Sequence, residues 1–377
     1  MIDPTLLYEN FRKNGIDFFV GVPDSLLKEL NYFIEKAVSN KKNITAANEG
    51  NAIAIATGYH LATKKIPLVY MQNSGLGNCI NPLTSLTNES TYRIPMVLLI
   101  GWRGEPGYTD EPQHLMPGKI LKKQLKLLDI KTFFLNKNTD AKTIVGKVIN
   151  ETVKNSLPVA LVVSKNTFSP NLINKKKTIF KGNLSRYDAI KYIATELKDD
   201  IVIATTGKAS RELYEIRKAD KQSMHDFLTV GSMGHVSSIA MGVALGQEQK
   251  NVICIDGDGS LLMHMGSMGV IGDKKIKNIK HFVINNGCHE SVGGQISAGS
   301  TIDFCKIAKA CRYTYVKRCE NMQDLKSTVK ESKGLKGPVF IEVYVNNDSA
   351  RDLGRPKESP IENKKNFVNF LSKKLDD

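Results

Sequence analysis

The chain has 377 residues, a net charge of +15 and 41% hydrophobic residues, which calls for two or three domains with sizeable cores. Its longest apolar runs, such as 95–100, are far too short to span a bilayer, and Asp3 and Glu9 stand where a signal peptide would have a basic start, so a soluble, cytoplasmic protein with no membrane partner is expected. The lysines are scattered in pairs, with no aromatic-interleaved stripe or recognition motif; this argues against nucleic acid as a partner and leaves a basic surface able to attract small anions.

In chain order, residues 6–15 have helical apolar spacing ending in a glycine, and 17–20 read as a strand running into Gly-Val-Pro-Asp-Ser (21–25). That loop is equally a candidate site through Asp24 and an ordinary helix start capped by Asp24 or Ser25. Residues 47–59 form a small-residue helix that opens with Glu49. The strand 68–72 follows, then the glycine loop Asn-Ser-Gly-Leu-Gly-Asn (73–78) with Asn73 and Gly75. Strand 95–101 leads into Trp-Arg-Gly-Glu-Pro-Gly (102–107), and a further loop holds Asp-Glu-Pro-Gln-His (110–114). Arg103 and His114 thus fall in loops at a sheet edge, where substrate contacts are common. A helix and the strand 158–163 close the first half, and 171–184 has linker composition.

The second half restarts the pattern. Ser185 caps a helix through Leu197, 201–204 is a strand, and Thr-Thr-Gly-Lys-Ala-Ser-Arg (205–211) opens a helix whose free N–H groups, near Thr206 and Gly207, suit a phosphate. Residues 227–230 lead into Gly-Ser-Met-Gly-His (231–235) and a second small-residue helix. Then come two β-branched runs with a helical segment between: Val-Ile-Cys-Ile-Asp-Gly-Asp-Gly-Ser (252–260) and His-Phe-Val-Ile-Asn-Asn-Gly (281–287). They read as neighbouring parallel strands whose loops emerge at one carboxyl edge. Gly257 and Gly259 let backbone N–H groups approach a phosphate, Ser260 follows them, and Asp258, Asn286 and a nearby carbonyl offer the hard oxygens Mg²⁺ prefers. A metal diphosphate is the implied ligand. A dinucleotide site is disfavoured, because Leu261 and Leu262 stand where a third glycine is expected. Residues 51–78 parallel 237–260 in their order of helix, strand and glycine loop, a duplication of pattern rather than of sequence. Six cysteines without a CxxC pair read as reduced thiols.

Gly-Asp-Gly-Ser, about 25 residues and then Asn-Asn resembles the thiamine diphosphate signature of the pyruvate decarboxylase and acetolactate synthase superfamily. The resemblance implies an α/β chain of two doubly wound parallel-sheet domains without the middle domain of its larger members. The pyrimidine-binding domain would cover 1–170, and the diphosphate domain with its tail 185–377. It further implies that Glu49 bonds the aminopyrimidine N1′, that Met233, beside Ser232, wedges under the cofactor, and that the carbonyl of Cys288 joins Asp258 and Asn286 around Mg²⁺.

Six stretches (21–27, 48–52, 72–78, 101–107, 231–235 and 289–295), with Asp-Leu-Gly-Arg-Pro at 352–356, are similar to the phosphonopyruvate decarboxylases. The sulfopyruvate decarboxylases share several of these motifs. The implied substrate is an anionic 2-oxo acid losing CO₂, with Asp24, His114 and His289 as candidate proton carriers and Arg103, Lys208, Arg211 and Arg355 as candidate ligands of its second acidic group. A homodimer or higher homo-oligomer with sites between subunits is implied as well.

Overall fold

Val, Ile and Leu runs become parallel strands in each half of the chain. The computed structural model describes residues 1–170, 182–347 and 353–372. It divides into one unit of Met1–Lys176 with Val292–Gln295, and another of Lys177–Ser291 with Ile296–Asp377. Residues 171–181, most of the expected linker, lie outside the described residues.

In the first unit the strands are β1 (Phe19–Gly21), β2 (Asn43–Thr45), β3 (Leu68–Gln72), β4 (Val97–Gly101), β5 (Lys131–Leu135) and β6 (Val159–Val163). All pair in parallel, in the order β2-β1-β3-β4-β6-β5. Helices cover both faces, so the central strands are apolar throughout. Val97 and Leu99 of β4 face one core with Leu7, Phe11 and Val145; Leu98 and Ile100 face the other with Ala52, Ile53 and Leu121. Each fully buried side chain of this kind contributes roughly 1.5–3 kcal/mol relative to exposure.

The second unit holds β7 (Ile201–Ala204), β8 (Phe227–Leu228), β9 (Val252–Gly257), β10 (Ile279–Asn285), the two-residue strand β11 (Cys288–His289), then β13 (Tyr315–Cys319) and β14 (Val339–Tyr344); the two-residue strand β12 is Gln295–Ile296. Its main sheet runs β13-β14-β10-β9-β7-β8, again parallel. Taken from the other edge, this is the topology of the first sheet. The duplicated pattern of the sequence is therefore a duplicated fold, and β9 and β10 are the neighbours the two β-branched runs predicted.

Ser185 caps helix Arg186–Glu196 by accepting from Asp188 N, as expected. The first half departs from expectation at 21–28. Neither Asp24 nor Ser25 caps the following helix, which starts at Lys28; the Asp24 carboxylate instead folds its own loop by accepting from Leu26 N. The supposed loop at 110–114 is also shorter, since Pro112, with its preset φ, opens helix Pro112–Leu127 and carries His114 in the first turn.

Candidate active site

In each sheet the chain leaves two adjacent strands in opposite directions, between β1 and β3 and between β7 and β9. The crevice beyond their carboxyl ends is where open α/β sheets bind ligands.

In the first unit that crevice holds a cluster of polar side chains. Asp24, completely buried, accepts from Gln72 Nε2 at 2.8 Å, which links the loop after β1 to the end of β3. A Cβ on Gly101 would fall 2.1 Å from Asp24 Oδ2, so the last residue of β4 has to be glycine. Burial pushes the Asp24 pKa up, against the opposing pull of Gln72 and Arg103. Arg103 is clamped: Nε and Nη2 bond the two Asp110 oxygens at 2.8 and 2.5 Å, and Nη1 bonds Ser25 Oγ at 2.9 Å. Although burial works the other way, Arg103 and Gly104 N–H hold the Asp110 carboxyl down at about 2. Burial and then Arg103 lower the His114 pKa to about 4, and its buried Nδ1 has no hydrogen-bond partner among the described residues. Asn73 exchanges both amide bonds with the Arg103 backbone and so ties β3 to β4.

Glu49 is the first residue of helix Glu49–Thr63, whose cap is Asn48. It is buried, and Asn78 Nδ2 donates to its Oε2 at 2.7 Å. Gly75 lies directly over it: a Cβ there would come within 2.2 Å of Oε1.

In the second unit, Asp258 begins the short helix after β9 and is buried. Ser297 Oγ donates to its Oδ2, and Gly299 leaves room for that oxygen. Burial raises its pKa to about 6, and no lysine or arginine pairs with it among the described residues. Asn286 Oδ1 accepts from Cys288 N at 3.2 Å, while its Nδ2 donates to Glu290 at 3.2 Å. Ser260 Oγ joins two loops of the crevice, accepting from Thr205 Oγ1 at 3.0 Å and Gly234 N at 3.2 Å. A Cβ on Gly259 would lie 2.9 Å from the His289 ring and 3.5 Å from Met233 Cε, which brings those two side chains to the Gly-Asp-Gly turn. Met233 is flanked by Ser232 and Gly234, both at positive φ. Gly207, at φ +103°, precedes helix Lys208–Ala219, and among the described residues a Cβ there would meet only Ser291 Oγ, at 4.0 Å. Burial lowers the His289 pKa to about 4 and raises that of the Cys288 thiol to about 12.

Residues 5–137 match the thiamine pyrophosphate enzyme N-terminal TPP binding domain, and residues 205–343 the C-terminal TPP binding domain. The chain is 34% identical to a phosphonopyruvate decarboxylase of Streptomyces viridochromogenes, over 95% of this chain and 92% of that one. The chain belongs to the thiamine pyrophosphate enzymes. A sulfopyruvate decarboxylase of Methanosarcina acetivorans is 29% identical over 97% of both chains. In Methanocaldococcus jannaschii the sulfopyruvate decarboxylase matches in two pieces. Its alpha subunit is 35% identical over 41% of this chain and 89% of its own length, and its beta subunit 39% over 33% and 65%. No helix among the described residues is long and apolar enough to cross a membrane.

For a thiamine pyrophosphate enzyme the donor chemistry is suitable. Asp258, Asn286 and the Cys288 carbonyl are hard oxygens, and a buried carboxyl without a basic partner suits a divalent cation. Several expected ligands are already engaged. Lys208 Nζ bonds Glu290 Oε1 at 2.7 Å, and Glu290 also pairs with Arg186, which is doubly bonded to buried Glu212. Arg211 is half-buried on the helix that Lys208 opens. Arg355 follows Gly354, where an added Cβ would meet Glu215, and Lys357 N bonds Tyr214 Oη; the tail thus runs along that same helix. Arg351 and Asp352 lie outside the described residues. All six cysteines are free thiols.

Sequence reasoning missed Gln72, Asp110, Glu290 and Ser297; Gln72, Glu290 and Ser297 act through Asp24, Lys208 and Asp258, partners 39 to 82 residues away, whereas Asp110 pairs with Arg103 only seven residues back. Gln72, Asp110 and Glu290 stood within stretches already singled out, but with no role assigned.

Proposed function

We propose that this protein decarboxylates 3-phosphonopyruvate to phosphonoacetaldehyde and CO₂, using thiamine diphosphate and Mg²⁺. The observation that carries the reading is the similarity to a phosphonopyruvate decarboxylase over 95% of the chain. When bound, thiamine diphosphate supplies a carbon nucleophile and an electron sink for the departing CO₂.

The residues divide the remaining work. Asp258, Asn286 and the Cys288 carbonyl hold the cation; Thr206, Gly207, Gly257, Gly259 and Ser260 line the diphosphate. Glu49, steadied by Asn78 and uncovered by Gly75, would share a proton with the aminopyrimidine N1′ of the bound cofactor. Asn73 braces the glycine loop, and Ser232 and Gly234 set the turn that presents Met233, which would pack against the cofactor. Asp24, whose pKa burial raises, is a candidate proton carrier; His114 and His289, lowered to about 4, are neutral near pH 7 and serve as acceptors or hydrogen-bond donors. A proton replaces CO₂ on the substrate carbon, which balances the reaction. Arg103 is the leading phosphonate ligand, because Asp110 and Ser25 preorganise its guanidinium; Lys208, Arg211 and Arg355 are the further cations.

A cytoplasmic homo-oligomer with sites between subunits goes with this reading. Helix Glu49–Thr63 is apolar around its circumference, and Ile55 and Leu61 on it, with Ile80 on the helix 76–85, are exposed. The second reading, sulfopyruvate, is favoured by the full-length relative at 29% identity. Aldehyde and CO₂ release from phosphonopyruvate, sulfopyruvate and pyruvate, each with and without cofactor and Mg²⁺, separates the two. Preference for sulfopyruvate, or turnover without thiamine diphosphate, overturns the proposal.

A further inference from the structure

Asn285, beside Asn286, has no part in the chemistry above, yet its buried amide bonds in three directions. Its Oδ1 accepts from Gly287 N at 2.9 Å, and its Nδ2 donates to Gly299 O and to Glu342 Oε1, both at 2.9 Å. Two of these partners are backbone walls of the proposed cation site. Gly287 directly follows Asn286, and a Cβ on Gly299 would lie 2.6 Å from Asp258 Oδ2.

Glu342 is completely buried on β14, the strand beside β10. Its Oε2 accepts from Arg318 Nε at 2.9 Å and Cys305 Sγ at 3.4 Å, and Arg318 Nη2 continues to Asp303 Oδ1 at 2.8 Å. Asp303, Cys305 and Glu342 have the spacing of a metal cluster, but the Arg318 guanidinium already pairs with both carboxylates. The other buried side chains of β14 are Val339, Phe340, Ile341 and Val343. An apolar residue at 342 would continue that pattern without the desolvation cost of a buried ion pair. An apolar residue could not, however, supply the acceptor that Glu342 Oε1 gives Asn285.

We propose that Glu342, held by Arg318, is a positioning residue for the cation and diphosphate site. It fixes Asn285, which fixes the Gly287 and Gly299 turns and so the placement of the Asn286 and Asp258 oxygens. It touches neither cation nor cofactor, and the inference rests on the thiamine diphosphate reading.

The test is a calorimetric titration of the full chain with thiamine diphosphate at fixed Mg²⁺, and a Mn²⁺ titration followed by electron paramagnetic resonance; neither requires turnover. Glu342→Ala should weaken both affinities by about 10–100-fold, as loss of an outer-shell partner does, with kcat at saturating cofactor close to wild type. Glu342→Gln, which keeps an oxygen for Asn285, should restore most of the affinity. Asn285→Leu, similar in size but without donor or acceptor, should match Glu342→Ala and serves if that variant does not fold. Unchanged affinities in folded Glu342→Ala or in Asn285→Leu overturn the inference, as does a Gln variant as weak as the Ala variant. Wild-type protein that binds neither ligand would instead refute the thiamine diphosphate reading itself.

Discussion

A Cβ on Gly75 would stand 2.2 Å from Glu49 Oε1, so the glycine loop after β3 and the first residue of helix Glu49–Thr63 fit only without a side chain between them. Gly75→Ala must therefore displace the Glu49 carboxyl or the loop. A misplacement near 1 Å at a reacting group costs about 100-fold in rate. That loss is expected in kcat at saturating cofactor, with the far-UV spectrum retained. Gly77→Ala is the control, because its Cβ would meet nothing within 4 Å; activity near wild type is expected there.

The contrast between these glycines shows what sequence can and cannot carry. Both sit in one motif, and only the structure separates the one that faces a carboxylate from the one that faces open space. The central strands were legible because Val, Ile and Leu at β4, β9 and β10 are buried on both faces. The edge strands β5 and β13 were not, since exposed Lys131 and Lys317 and half-buried neighbours leave neither alternation nor an apolar run. The candidate site was legible where its residues are neighbours in sequence, as in the Gly257–Ser260 turn at the end of β9. It was illegible where a charge finds its partner across the chain, as Lys208 does with Glu290, 82 residues away.

Arg103 offers a test of substrate choice. Losing a charge-assisted bond to the phosphonate costs about 1.5–3 kcal/mol, or roughly 10–100-fold. Arg103→Ala should raise the KM for phosphonopyruvate by that factor and leave the KM for pyruvate nearly unchanged. The variant also strands the Asp110 carboxyl, which Arg103 now holds at about 2. Arg103→Ala with Asp110→Asn should recover the melting temperature without recovering the selectivity. An equal rise in KM for both substrates removes Arg103 from the phosphonate site.

His114 gives a pH dependence of known sign. Its folded pKa is lowered to about 4, against 6.5 for the free side chain. The unfolded chain therefore binds more protons between those values, and stability rises with pH across the window and is lost as pH falls through it. Partial exposure discounts the effect to about 1 kcal/mol. Urea denaturation of wild type and His114→Gln should give stabilities that diverge as pH rises from about 4 to 6.5, with a constant difference above. A parallel pair of curves would place the imidazole in solvent.

Asp258 governs a ligand effect. Thiamine diphosphate with Mg²⁺, at a hundredfold excess over its Kd, should stabilise the protein by about 2.7 kcal/mol, and chelation should abolish the gain. Asp258→Asn keeps the size of the side chain but not its charge, and should lose the gain while folding normally without ligand. Relief of a buried carboxyl with a raised pKa should even make the ligand-free variant slightly more stable at neutral pH than wild type. Retention of the full thermal shift in Asp258→Asn would exclude it as a cation ligand.

The two roles assigned to Glu49 and Asp258 also test how sites are shared between subunits. If each site takes Glu49 from one chain and Asp258 from another, a dimer of one Glu49→Ala chain and one Asp258→Ala chain contains one intact site and one doubly altered site. Random pairing makes half the dimers mixed, so a refolded equimolar mixture should recover about a quarter of wild-type activity, although each variant alone is inactive. A site built within one chain predicts no recovery, because every chain then lacks one of the two carboxylates. Persistent inactivity in verified mixed dimers would therefore assign both residues to the same subunit's site.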